Sequence, residues 1–74
     1  MADLRIGELG LIAKGDEAGR WVEVIDDQAA SGGYFIFTFG DCDRSGEVFD
    51  TWVESLVDVN RQFEYWGWEV RWSN

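Results

Sequence analysis

The stretch Tyr34-Phe35-Ile36-Phe37-Thr38-Phe39 is a nearly unbroken run of aromatic and β-branched residues. Apolar side chains occupy both of its alternating faces, which is typical of a strand covered on each side rather than of an edge strand that faces water. We therefore predict a central strand over residues 34–39 and expect the rest of the fold to be built around it.

Two further strands are predicted on either side of this run in the sequence. Residues 21–25 alternate β-branched and aromatic side chains, and residues 48–53 show a second two-residue alternation. The segments 26–33 and 40–46 are polar and contain several glycines, so they are predicted to be loops.

A helix is predicted after the third strand, over residues 55–66. Ser55 and Asp58 have the form of a capping box with the shorter acid. Apolar residues follow at spacings of three and four, at Leu56, Val59, Phe63 and Trp66. Gly67 stands where a left-handed residue would end the helix, and residues 68–72 then alternate apolar and charged side chains, as in a last strand.

The N-terminal segment fits either a helix or a strand. Over residues 3–14, Leu4, Leu11 and Ile12 share one face at helical spacing, whereas two glycines in this segment each cost about 1 kcal/mol relative to Ala in a helix. We predict a short helix, with a strand over 10–14 as the alternative. The fold class is then α+β, a small antiparallel sheet of about four strands with one helix of the C-terminal half packed on it.

Length and charge narrow the classes of function. The 74 residues are enough for a single domain, 1–74, and contain no linker or repeat. Fifteen acids against six bases give a net charge of -9. Direct binding of nucleic acid is not expected, because phosphate contacts depend on clustered Lys and Arg. The aromatic content of 16% is far above that of a disordered acidic tail, so the charge belongs to a folded domain.

Most enzyme chemistry is also not expected. The chain has no His and one Cys, so it cannot form a Ser-His-Asp or Cys-His site, a zinc site of the usual ligands, or an internal disulfide. Cys42 lies between two acids that disfavour its thiolate, so we predict an unreactive thiol. We predict no enzyme activity, no catalytic residues and no cofactor.

One segment resembles half of a calcium loop. Asp41–Val48 has acids at positions one and three, Ser at five and Gly at six. Position twelve, where a calcium loop has a bidentate acid, is Trp52 here. Asp50 or Glu54 would have to replace that acid through another geometry, so we predict a solvated acidic turn and no metal site.

Three features of the sequence bear on the cellular compartment of the protein. Its start has no basic stretch followed by an apolar run, and no window approaches the roughly 18 apolar residues of a membrane span. Together with the lone cysteine, this favours the cytosol as the expected compartment.

Aromatic residues flanked by acids are the main functional signal. The alternation in residues 48–53 places Asp50, Trp52 and Glu54 on one surface, and Asp26 and Asp27 form a second acidic pair. Protein interfaces favour aromatic anchors surrounded by polar groups, and a field of one sign attracts a partner of the other. These five residues are therefore the predicted contacts to a basic protein partner. The alternative is that the charge only confers solubility.

Four segments resemble small acidic immunity proteins of bacterial toxin systems. The segments are WVEVIDD at residues 21–27, GGYFI at 32–36, FDTWVES at 49–55 and GWEVRW at 67–72, and the resemblance covers roughly residues 20–72. It implies a cytosolic inhibitor that binds a toxin domain, often a basic nuclease, and occludes its active site. It implies no catalytic residues.

The predicted function is therefore a non-enzymatic immunity or inhibitor protein. The alternative is a phage-encoded mimic of nucleic acid, whose carboxylates occupy the phosphate track of a DNA-binding defence enzyme. Carboxylates at near-regular intervals over one face would favour mimicry, whereas a few acids around an exposed Trp would favour the immunity protein. A third class is a calcium- or sugar-binding module, the latter using the aromatic residues of Tyr65–Trp68.

Overall fold

The computed structural model describes residues 5–41 and 46–72. In chain order its elements are β1 (Leu9–Lys14), β2 (Trp21–Asp27), α1 (Gln28–Ser31), β3 (Gly33–Phe39), β4 (Phe49–Val53), α2 (Leu56–Trp66) and β5 (Glu69–Trp72). The strands form one antiparallel sheet in the order β4-β3-β2-β1-β5. Helix α2 packs on one face, so the predicted α+β fold is confirmed, with five strands rather than about four.

The predicted N-terminal helix is wrong, and the alternative strand is close to what forms. Strand β1 pairs with β2 on one side and β5 on the other. Gly10 pairs with Trp72 of β5, and a Cβ atom there would be 2.5 Å from Cγ1 of Val70 and 2.8 Å from Cε3 of Trp72. Gly10, one of the two glycines that weaken a helix, therefore makes room for these two side chains of the neighbouring strand.

The segment 26–33 is only partly the predicted loop. Strand β2 continues through Asp27, and α1 follows at once as a single helical turn. The backbone N–H of Gln28 donates to Oδ1 of Asp26 at 3.0 Å, and Gly32 ends the turn at a φ of 83°. Pairing with β3 thus extends β2 over two aspartates that have little preference for strands.

The predicted boundaries of α2 are confirmed. Oγ of Ser55 accepts a hydrogen bond from the backbone N–H of Asp58 at 3.2 Å, as an N-cap does. At the other end Gly67 is left-handed, its N–H donates to the Glu64 carbonyl, and the N–H of Trp68 donates to the Phe63 carbonyl. This pair of bonds is a Schellman motif, and it turns the chain from α2 into β5.

The hydrophobic core lies between α2 and one face of the sheet. Its buried members are Ile12, Val22, Val24, Tyr34, Ile36, Val59, Phe63 and Trp68. Phe63 is only 2% exposed, and its ring centroid is 5.0 Å from that of Trp68 and 6.4 Å from that of Trp72. The helix therefore contributes Val59 and Phe63 to the core, and Phe63 joins it to the tryptophans of the C-terminal segment.

The expectation that β3 is covered on both sides is only half right. The strand lies inside the sheet, between β2 and β4. Its residues on the α2 side, Tyr34, Ile36 and Thr38, are buried. On the other side Phe39 is buried, at 3% exposed, but Phe35 and Phe37 are only half-buried, and no further helix or sheet of the described residues covers them. The apolar character of the two faces thus has different causes, the core on one side and a partly exposed surface on the other.

Candidate partner-binding surface

The sheet face opposite α2 is the candidate site, and we call it the open face. Because side chains alternate along each strand and the registers of β1 to β4 are known, its members follow directly. They are Leu9, Leu11, Trp21, Glu23, Ile25, Asp27, Gly33, Phe35, Phe37, Phe39, Asp50 and Trp52, and in β5 Arg71, which lies opposite Leu11. The open face is therefore mainly apolar and aromatic, with carboxylates at a few positions and one base on the edge far from β4.

Three partly exposed rings lie together on the open face where β3 pairs with the edge strand β4. Phe35 and Phe37 are stacked, with ring centroids 5.5 Å apart. In the register, Phe35 lies opposite Trp52, and Phe37 lies opposite Asp50. Trp52 is 43% exposed, which is high for a side chain of this size. This part of the face offers rings for contact and a carboxylate directly beside them.

A shallow apolar depression of about 360 Å³ adjoins these rings. It is lined by Glu23, Ile25, Phe37, Phe39 and Val48. Val48 is 49% exposed, whereas Glu23 is only 8% exposed although it belongs to the open face. An apolar side chain of a partner could be buried here, close to a carboxylate at the floor of the depression.

Trp52 is held in place by two features near the start of β3, a hydrogen bond and a close contact. Its Nε1–H donates to Oγ of Ser31 in α1 at 2.8 Å. Its ring also lies over Gly33, where a Cβ atom would be only 2.6 Å from Cζ2 of the indole. The exposed tryptophan therefore has a defined orientation before any partner arrives, which reduces the entropy that binding costs.

Removing the hydroxyl of Ser31 should loosen Trp52. The hydroxyl also donates to the Asp27 carbonyl at 3.2 Å, and both bonds are exposed to solvent. We expect Ser31→Ala to lower the free energy of unfolding by about 0.5–1.5 kcal/mol through the loss of these two bonds. The indole N–H of Trp52 should exchange with solvent faster, as measured by NMR. Ser31→Thr keeps the hydroxyl and serves as the control. Equally slow indole exchange in the alanine variant would show that the bond does not hold the ring.

The structure brings together some of the predicted contact residues and separates others. Asp27, Asp50 and Trp52 share the open face. Asp26 lies opposite Tyr34 in the register and so belongs to the α2 side of the sheet, where it is exposed and accepts the bond from α1. Glu54 follows the end of β4 and is exposed, next to Trp52 in a second groove described below.

Phe35 and Phe37 were not predicted to be surface residues, although both are only half-buried. The signal was present, because a strand with apolar residues on both faces in a domain with one main helix has too little chain to cover both. The run was interpreted instead as a doubly covered strand. Which side remains open depends on where α2 packs, and the alternation of a single strand does not determine this.

The aromatic residues at the end of α2 do not form a shared exposed platform. Trp68 is buried, and Trp66 packs against it with ring centroids 4.5 Å apart. Of these three residues, Tyr65 is the one that is mostly exposed, at 83%. This arrangement fits a structural role for the two tryptophans, which the sequence analysis left open beside sugar binding.

The remaining predictions about sites concern residues that are partly outside the described ranges. Four residues of the calcium-like loop, Cys42 among them, lie at 42–45, outside the described residues. The unreactive thiol and the solvated turn therefore stay predictions. Within 5–41 and 46–72, no three His, Cys, Asp or Glu side chains group as metal ligands would. No helix in these same ranges has the length and apolar character that a membrane crossing requires.

Comparison with protein-family models finds no match for this chain, and comparisons with curated proteins and with solved structures likewise find none.

Proposed function

We propose that this protein is a non-enzymatic, cytosolic inhibitor of the immunity type, which binds a basic toxin or nuclease through the open face. The observation that carries the proposal is the group formed by Trp52, Phe35, Phe37 and Asp50. It combines one exposed, oriented ring and two half-buried stacked rings with a carboxylate beside them, on a surface without a second layer in the described part of the chain.

This arrangement has the composition of a protein interface. Interfaces are enriched in aromatic residues at their centre and have polar groups around the rim, and a few aromatic residues in a water-excluding patch supply most of the affinity. The net charge of -9 adds long-range attraction for a cationic partner and speeds association. The resemblance of residues 20–72 to acidic immunity proteins points to the same class of partner.

The mechanism is steric and electrostatic blocking. The rings of the open face bury apolar surface of the partner, while Asp27, Asp50 and Glu54 face basic side chains that otherwise bind nucleic-acid phosphates. No covalent step and no catalytic group of this chain is needed. A partner whose basic cleft is covered in this way loses access to its substrate.

The arrangement of charge gives less support to nucleic-acid mimicry. A mimic needs carboxylates at near-regular intervals over one face, as phosphates are spaced along a strand. On the open face the acids are few and are separated by rings and aliphatic side chains. A few acids near an exposed tryptophan favour the inhibitor instead.

Co-expression with the neighbouring gene tests the proposed function. We expect the reading frame adjacent to this one to encode a protein with a basic domain that arrests bacterial growth when expressed alone. Growth should recover when both chains are expressed together, and the two should co-purify. A neighbour that is not toxic, or whose toxicity persists with this chain present, would contradict the proposal.

Charge reversal should act mainly on the rate of association. We expect Asp50→Lys with Glu54→Lys to slow association with the neighbouring basic protein and to weaken its dependence on salt, because both acids lie by the proposed contact. The measurement is stopped-flow fluorescence at several salt concentrations, with circular dichroism to check that the fold is retained.

The matched control for this experiment is Glu64→Lys with Glu69→Lys. It changes the net charge by the same amount at two exposed positions, one in α2 and one in β5, away from β4. If both double variants slow association equally, only the net charge matters, and the patch around Asp50 and Trp52 is rejected.

A further inference from the structure

We infer that β4 is the docking edge for the partner, and that an extended Lys- or Arg-bearing segment of that protein adds to it as a sixth strand. The inference rests on the proposed inhibitor function and specifies how the partner is held. The observations behind it are the position of β4, its exposed side chains, the groove beside it and the charges around it.

Strand β4 is an edge strand of the described sheet. It pairs with β3 along its whole length, Phe49 to Val53, and the strand order places it at one end. In an antiparallel pair every second residue directs its N–H and C=O away from the neighbouring strand. Such groups are a template onto which another extended chain can add its own backbone hydrogen bonds.

The side chains of β4 lack the usual protection against such pairing. Edge strands are commonly shielded by Lys, Pro or a covering element, and β4 contains neither Lys nor Pro. Phe49 is 49% exposed and Trp52 is 43% exposed. Phe49 lies on the α2 side of β4, with the guanidinium carbon of Arg20 5.2 Å from its ring centroid, and Trp52 lies on the open face, so each face of this edge strand has an exposed ring.

The other edge strand, β5, is protected better. It has four residues and carries Arg71, a charge that disfavours pairing with a cationic segment. The side chains of Val70 and Trp72 pack against the core, and the carboxylate of Glu69 lies 3.7 Å from Nζ of Lys14. The two edges thus differ in exposed apolar surface and in charge, because β4 carries only the acid Asp50, whereas β5 carries both Glu69 and Arg71.

A groove of about 580 Å³ runs beside β4, between this strand and α2. It is lined by Trp52, Val53, Glu54, Asp58, Arg61, Gln62 and Tyr65. Side chains of an added strand alternate between two faces, so those on one side would enter this groove and those on the other would reach Asp50 and the rings of the open face. Both sets of positions offer an aromatic ring next to a carboxylate.

The charges select a basic segment over a second copy of this chain. Asp50, Glu54 and Asp58 lie along the edge and its groove, and the one base in the groove lining, Arg61, is 3.9 Å from Asp58. Pairing of β4 with β4 of another copy would bring two acidic strands together, which like charges across neighbouring strands disfavour. A strand with Lys or Arg at alternate positions instead faces opposite charge.

A synthetic peptide of alternating Lys and Val tests this inference on the full-length chain. With the peptide in excess, we expect every second amide within Phe49–Val53 to exchange about tenfold more slowly or more, as detected by NMR, because those N–H groups gain acceptors. The amides of Glu69–Trp72 in β5 should keep their rates. A peptide of alternating Lys and Gly has the same charge with a weak strand preference and should protect much less.

The variant Asp50→Lys should abolish the protection, whereas Glu69→Lys, the same change on the other edge strand, should leave most of it. Protection confined to β5, or shifts at Phe35 and Phe37 without slowed exchange in β4, would overturn the inference. So would slow β4 exchange in the absence of peptide that depends on protein concentration, since it would indicate self-pairing.

The experiments separate a failure of β4 as the docking edge from a failure of the proposed inhibitor function. If the neighbouring toxin is neutralised but β4 amides are not protected in the complex, the inhibitor function stands and the docking edge is wrong. If the Lys-Val peptide protects β4 but no neighbouring toxin is neutralised, β4 captures basic strands and the inhibitor function is wrong.

Discussion

Replacing Phe63 with alanine should nearly unfold the protein. Truncating a buried phenylalanine costs about 3–5 kcal/mol, and natural domains have only about 0.05–0.15 kcal/mol of stability per residue. Phe63 is 2% exposed and contacts two tryptophan rings, so its loss opens a cavity between α2 and the sheet. The melting temperature should fall by more than about 12 °C, as measured by circular dichroism.

Tyr65→Ala is the matched control for this experiment. It removes an aromatic ring of similar size from the same helix, two residues further on, where the side chain is 83% exposed. Its effect should stay within about 0.5 kcal/mol. Similar losses in the two variants would contradict the placement of the core, because the cost would then not depend on burial.

Gly15→Ala should give the second large effect, by breaking the contact between the β1–β2 turn and the end of α2. Gly15 has a φ of 96°, and a Cβ atom there would lie 2.2 Å from the carbonyl oxygen of Gly67. The next residue, Asp16, donates its backbone N–H to the Trp66 carbonyl at 2.9 Å. Because the obstacle is backbone, the turn and the helix end must move apart.

Gly19 offers a control in the same turn. Its φ is also 96°, but a Cβ atom there would have no atom within 4 Å. Gly19→Ala should therefore cost only the conformational strain, about 1–3 kcal/mol. Gly15→Ala should cost about 1–3 kcal/mol more, which is typical of forced overpacking. Urea denaturation measures both, and equal losses would show that the contact with Gly67 contributes nothing.

The contact between Gly15 and Gly67 could not be predicted from the sequence, although one role of Gly67 could. Gly67 was predicted correctly to end α2, because a glycine after the last periodic residue is a local signal. The close approach of its carbonyl to Gly15, where there is no room for a Cβ atom, depends on a turn 52 positions away in the chain. Helix capping is decided within a few residues, whereas a tertiary approach of two backbones leaves no pattern at either position.

The candidate site was also predicted only in part from the sequence. The alternation in β4 correctly placed Asp50 and Trp52 on one face. Asp26 and Asp27 were treated as one loop pair, but strand pairing extends β2 over both, so they lie on opposite faces. The anchoring of Trp52 by Ser31 joins residues 21 positions apart and had no local signal.

Local signals were enough to predict the strands β2, β3 and β4, the limits of α2 and the acidic character of the surface, because alternation, capping and charge act between near neighbours. The N-terminal segment is a strand because its pairing with β2 and β5 outweighs a weak helical spacing, and this pairing exists only in the folded chain. Which face α2 covers and which strand lies at the edge likewise depend on packing between distant parts of the chain. This packing leaves Phe35 and Phe37 half-buried and Trp52 exposed on the open face.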